Sequence, residues 1–104
     1  MTDDQRRPGA DVLERTKTIT KEPPVYRVIL HNDDYTTMDF VIGILETVFH
    51  KQPAVAYRLM LQVHTQGRAI CGTYPHEVAE TKIATVRDQA TRQGFPLQAS
   101  MEED

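Results

Sequence analysis

The rhythm of apolar and polar positions changes several times along the chain, and each change marks an expected element. Val25-Tyr26-Arg27-Val28-Ile29-Leu30 is a run of β-branched, aromatic and aliphatic residues, the make-up of a strand. His31-Asn32-Asp33-Asp34-Tyr35 stops it, because Asn and Asp side chains bond their own backbone in turns. Met38, Val41, Ile42, Leu45, Val48 and Phe49 then recur at helical spacing and form one apolar face. Thr36 is the expected N-cap of that helix, with Asp39 standing where a capping box usually has Glu, and Gly43 is a soft spot within it. Pro53 suits the first turn of a second helix. Its stripe is Val55, Leu59, Met60 and Val63, and Gly67 is a good residue to end it. Arg68–Tyr74 reads as a second strand. Pro75 opens a third helix, with Val78, Ile83, Val86 and Ala90 on its inner face. Glu77 in its first turn suits the positive end of the helix dipole, and Gly94 ends it. Leu97–Met101 alternates weakly and is the expected third strand, followed by a loose acidic tail, Glu102-Glu103-Asp104.

The order is therefore β-α-α-β-α-β. Three strands cannot cover three helices from both sides. The expected architecture is α+β: a small three-stranded antiparallel sheet with the three helices on one face. The other sheet face, carrying Arg27, His31 and Thr73, is expected to be partly wet.

Before Val25 the pattern disappears. Residues 1–24 hold only Met1, Val12, Leu13 and Ile19 as apolar anchors among charged and polar residues. Such a segment cannot bury enough surface to offset its ordering entropy. Residues 1–24 are thus expected to be a flexible N-terminal extension, ending in the stiff Pro23-Pro24, and residues 25–104 the folded core. A chain of 104 residues leaves no room for a separate cofactor domain. No stretch approaches the roughly 18 apolar residues that span a bilayer. No apolar run follows the first charges, so a secretory signal is not expected. Cys71 is the sole cysteine and cannot form an internal disulfide, which suits a reducing, cytoplasmic setting.

The net charge is −3. Residues 1–24 balance five acids against five bases, so the excess lies in residues 25–104, with ten acids and seven bases. That disfavours nucleic acid, which wants a basic surface, and suits a partner with an amino-bearing surface. A charge of this size also simply keeps a small domain soluble.

The cluster His31-Asn32-Asp33-Asp34 concentrates acceptors on a short connection between a strand and a helix. A metal site built from His31, Asp33, Asp34 and His64 is one reading, but no metal-binding motif supports it. Catalysis through Cys71 or the paired aspartates is another. Yet a cysteine between Ile70 and Gly72 in a strand suits a small buried hydrophobe better, and adjacent aspartates point apart. The third reading is recognition of a cation. Met38 and Val41 on the first helix and Met60, Val63 and His64 on the second would line an apolar pocket beside the acceptors, if those helices are neighbours. An ammonium beside an apolar group describes the beginning of a peptide chain. Spacing alone leaves open whether these side chains are pocket wall or ordinary core.

The stretch Tyr26-Arg27-Val28-Ile29-Leu30-His31-Asn32-Asp33-Asp34-Tyr35-Thr36-Thr37-Met38-Asp39-Phe40-Val41 resembles the signature of the bacterial ClpS adaptor family, YxVxLxNDDxTPMxFV. Leu59–Gly67 is similar to that family's LMxxVHxxG, and Ala79-Glu80-Thr81-Lys82 to its AETK. The likeness covers roughly residues 25–101, in order. It implies an adaptor and not an enzyme, with no cofactor and no metal. It implies a fold akin to the C-terminal domain of ribosomal L7/L12. The implied activity is binding proteins that begin with Phe, Leu, Tyr or Trp (an N-degron) and delivering them to the ClpA unfoldase of the ClpAP protease. By this resemblance Asn32, Asp33 and His64 hold the substrate α-amino group. Met38, Val41, Met60, Val63 and Leu97 line the side-chain pocket, Asp34 and Thr36 shape its rim, and Met38 is the gate against β-branched residues. Glu77 and Lys82 are implied contacts of the ClpA N-terminal domain, and the extension is implied in delivery. The expected partners are that domain and N-degron peptides, with no nucleic acid and no membrane, and the expected state is a monomer. One departure is Thr37, where the family has proline, which leaves the helix start less pre-set. The rival functions are a module of the same fold that binds ClpA without reading an N-terminus, and an enzyme.

Overall fold

The computed structural model, which describes residues 22–104, makes the first β-branched run the middle strand of its sheet. β1 (Val25–His31) lies between β2 (Arg68–Pro75) and β3 (Gln98–Glu103), antiparallel to both. Three helices fill the connections: α1 (Met38–Thr47), α2 (Pro53–Gln66) and α3 (His76–Gln93). The expected α+β order and sheet are thus observed. The expected extension lies outside the described residues up to position 21, and Glu22, Pro23 and Pro24 are exposed. No helix among the described residues is long and apolar enough to cross a membrane.

Val28 and Leu30 project from β1 into one core with Val41, Ile44 and Leu45 of α1, Ala56, Leu59, Met60 and Val63 of α2, and Ala79, Val86 and Ala90 of α3. The inner line of α3 runs 79, 83, 86, 90, a true helical stripe. Val78, expected inward, sits about 100° off that stripe and is 43% exposed.

Cys71 is the extra residue of a bulge in β2. Val28 pairs with Gly72 but Ile29 pairs with Ile70, and the bulge turns the Cys71 side chain fully into the core. Gly72 follows because the Tyr74 ring folds back over it; a Cβ there would run into the phenol.

On the far face Arg27 and His31 flank Ile29 along β1. Arg27 reaches Glu102 and Asp104, each at 3.6 Å. His31 Nε2 bonds Ser100 Oγ at 2.7 Å. This polar layer accompanies complete burial of Ile29. It also overturns the expected loose tail: Glu102 and Glu103 belong to β3, and the Asp104 N–H donates to the Val25 carbonyl at 2.9 Å. The acidic run is paired along β1, Glu102 opposite Arg27 and Glu103 opposite Tyr26, and Arg27 and Arg68 both reach Glu102.

Candidate functional site

The chain leaves β1 at His31 and is pinned at once. The Asn32 N–H donates to the Gly67 carbonyl at 2.9 Å. Gly67 ends α2 in the left-handed region, φ 91°, which an L side chain rarely adopts. That bond fastens the Asn-Asp turn to the last turn of α2, where exposed His64 sits. From the other side, β3 begins by pairing Gln98 with His31. Gly94, at φ 77°, ends α3 and reverses the chain, and the Phe40 and Phe95 rings meet at 5.0 Å. Leu97 therefore arrives beside the same turn.

Asp33 organises that turn. Its Oδ1 accepts from the Tyr35 N–H at 2.8 Å and the Thr36 N–H at 2.7 Å, and its Oδ2 accepts from the Thr36 hydroxyl at 2.7 Å. Burial pushes the carboxyl upward, but the Thr36 hydroxyl and the two N–H donors outweigh it and hold it below its ordinary range. An ionised carboxylate has about four lone-pair sites; three are engaged here, which leaves Oδ2 able to accept once more.

The sequence places the helix cap one residue early. Thr36 turns back to Asp33, and Thr37 is the N-cap, its Oγ1 accepting from the Phe40 N–H at 3.1 Å. Thr37 thus offers a side-chain acceptor that a proline at this position would lack.

Of the expected pocket residues, Val41, Met60, Val63 and Leu97 are buried in the shared core, and Met38 is 46% exposed. Met38 and Val41 lie one turn apart on the same face of α1. Met38 is thus the exposed member of the set, and the other four belong to the core. Asp34 is exposed and Thr36 half-buried at the edge. A depression of about 480 Å³ opens between the turn and the start of β3, walled by His31, Asn32, Asp33, Asp34 and Tyr35 on one side and Pro96 and Gln98 on the other. Pro96 and Gln98 carry no motif that would single them out; only the register of β3 on β1 brings them here.

Glu77 and Lys82 lie on α3. Glu77 is exposed. Lys82 is half-buried, its Nζ donating to the Val48 carbonyl at 2.7 Å and lying 5.9 Å and 5.1 Å from the Phe49 and Tyr74 ring centres.

The chemistry of the other readings can be weighed directly. Burial pushes the Cys71 thiol up to about 12, so it is protonated at neutral pH and no nucleophile. Among the described residues no three His, Cys, Asp or Glu side chains converge as a metal ion requires. His31, one of the proposed ligands, is engaged by Ser100.

Comparison with known proteins gives a single direction. The family described as ATP-dependent Clp protease adaptor protein ClpS matches residues 21–100. The chain is 58% identical over 82 residues to the ATP-dependent Clp protease adapter protein ClpS of Desulforapulum autotrophicum, covering 79% of each. It is 45% identical to that of Desulfotalea psychrophila over 104 residues, the whole of both chains. Among solved structures it is similar to Agrobacterium tumefaciens ClpS2 bound to L-phenylalaninamide. The TM-score is 0.77 at 35% identity, covering 80% of this chain and all of that one. The chain therefore belongs to the ClpS family and is an adaptor of the ATP-dependent Clp protease rather than an enzyme.

Proposed function

We propose that this adaptor captures proteins that begin with Phe, Leu, Tyr or Trp, by their free α-amino group and first side chain, and delivers them to ClpA for degradation by ClpAP. The observation that carries the reading is Asp33. Its carboxylate is held below its ordinary range and fixed by three bonds, with one acceptor site unspent, on the turn that leads into α1 and its exposed first residue, Met38. Asn32 and His64 complete the acceptor set for an ammonium, and Asp34 and Thr36 form the rim. The ligand of the Agrobacterium protein, L-phenylalaninamide, has the two groups this arrangement suits, a free amine and a large apolar side chain.

The energetics support such a mode. An ammonium removed from water needs several acceptors. Hydrogen bonds to charged groups contribute about 1.5–3 kcal/mol each, and burying Phe or Leu adds about 1.5–3 kcal/mol. Two or three such bonds and the side chain, less the cost of association, correspond to roughly micromolar affinity.

Delivery engages the ClpA N-terminal domain through Glu77 and the α3 surface around Lys82, and requires the extension, residues 1–24. A chain shortened to begin at Pro23 keeps its peptide affinity and loses delivery; undiminished degradation of a Phe-led reporter would remove that role. The adaptor acts as a monomer in the cytoplasm. The decisive test is a set of peptides that differ only in their first residue. Tight binding of the Phe, Leu, Tyr and Trp peptides against Ala, Glu and Lys supports N-terminal reading. A flat response favours the rival module, which binds ClpA but reads no N-terminus.

A further inference from the structure

β3 is an edge strand, with β1 as its one neighbour among the described residues, and it is half-buried or exposed throughout. Register is strongly specified where one face of a strand is buried and weakly where it is not. Burial therefore says little about where β3 settles along β1. Backbone bonds do not decide it either, since a slip of two residues remakes the same ladder. Side chains that meet across the pair do. At one end Arg27 lies 3.6 Å from Glu102, a partly exposed ion pair of small worth. At the other, His31 Nε2 and Ser100 Oγ are part-buried and 2.7 Å apart. Gln98 pairs with His31 and Ser100 with Ile29. His31 and Ser100 are thus diagonal neighbours on one sheet face, and their bond belongs to this register.

The bond joins the two halves of the candidate site. His31 directly precedes Asn32 and Asp33, and Leu97 directly precedes β3. The Asn-Asp turn has anchors of its own, the Asn32 N–H on the Gly67 carbonyl and the three bonds of Asp33. Leu97 is placed by where β3 begins. It is buried in the core, where close packing transmits even small shifts. We propose that His31 is a positioning residue for the reading of the first side chain: through Ser100 it fixes the register of β3 and, with it, the place of Leu97 in the pocket wall. This rests on the N-terminal reading above and deepens it, because the family signature leaves position 31 open. The ammonium half of the site keeps its own ties without the bond. The side-chain half loses a tie that backbone pairing does not replace.

The test uses a Phe-led and an Ala-led peptide, otherwise identical, and an N-acetylated copy of the first. Affinities are measured by competition fluorescence anisotropy at a temperature where circular dichroism shows every protein folded. The proteins are the parent, His31→Ala, Ser100→Ala, the double variant and Ser100→Thr. Each alanine variant binds the Phe-led peptide about two- to fivefold more weakly and the Ala-led peptide like the parent, so the ratio between them shrinks. The double variant loses no more than either single one, as two ends of one bond require, and Ser100→Thr, which keeps the hydroxyl, keeps the parent's ratio. A bond that served the fold alone would lower Tm and leave the ratio unmoved. An unchanged ratio in Ser100→Ala, or losses that add in the double variant, overturns the inference even though free peptides still outbind acetylated ones. Ser100→Ala alters no charge, and it decides the matter should His31→Ala fail to fold. If the parent binds free and acetylated Phe-led peptides alike, the N-terminal reading falls and this inference with it.

Discussion

The Lys82 ammonium on α3 donates to the Val48 carbonyl at the end of α1, at 2.7 Å. The last turn of α1 carries no basic residue of its own, so Lys82 supplies the positive charge that its carbonyl end favours. The Phe49 and Tyr74 rings lie near the same ammonium and add cation–π attraction. Gly72 matters to this arrangement because it leaves room for the Tyr74 ring.

Lys82 is accordingly a structural clamp whatever surface it also offers a partner. Lys82→Met is expected to lower stability by about 1–2 kcal/mol, about 4–8 °C in Tm per kcal/mol for a domain this small. Thermal and urea unfolding of the two proteins measure it. Unchanged stability would contradict the clamp.

Asp33 should resist protonation down to strong acid. Its folded pKa lies below the ordinary 3.8, so its contribution to stability is fully present above that value. It is lost as pH falls through the lower, folded value. Asp33→Asn should therefore be less stable than the parent at neutral pH, with the two curves converging in strong acid. Urea midpoints taken across the acidic range check the sign; a gap that widened on acidification would contradict it.

At Thr37 two effects oppose one another. Thr37→Ala removes the bond to the Phe40 N–H and should cost about 1 kcal/mol. Thr37→Pro loses the same bond, but the native φ of −75° already suits proline, which restricts the unfolded chain and returns about 0.4–1 kcal/mol. Denaturant titration should rank the parent and the proline variant close together, with alanine below both.

Met38→Ala separates gate from core. Met38 is 46% exposed, so the substitution should leave stability within about 0.5 kcal/mol. By widening the entrance it should admit peptides led by Ile or Val. Continued rejection of both by a stably folded variant would show that Met38 is not the gate.

Much of this was legible along the chain. The order of the six elements followed from periodicity, and the ends of α2 and α3 from Gly67 and Gly94, because those signals are local. What escaped depended on partners distant in sequence. Glu102 joins β3 by pairing with Arg27 of β1, where Arg27 and Arg68 also meet its carboxylate. Thr36 is drawn from the helix cap by Asp33, leaving Thr37 to fill it. Val78 misses the core by one step around a helix whose face is set by the sheet beneath it. In the candidate site, the Asn-Asp turn and the two methionines stood out as residue types. Pro96 and Gln98 did not, since only the pairing of Gln98 with His31 places them at the turn.

The central claim is that the ammonium of a chain beginning is bound at Asn32, Asp33 and His64. Calorimetric titration of one Phe-led peptide, free and N-acetylated, tests it most directly. Acetylation removes the charge and a donor and leaves the acceptors unsatisfied, so affinity should fall at least about tenfold, equivalent to about 1.4 kcal/mol. Equal affinities for the two peptides would contradict the account.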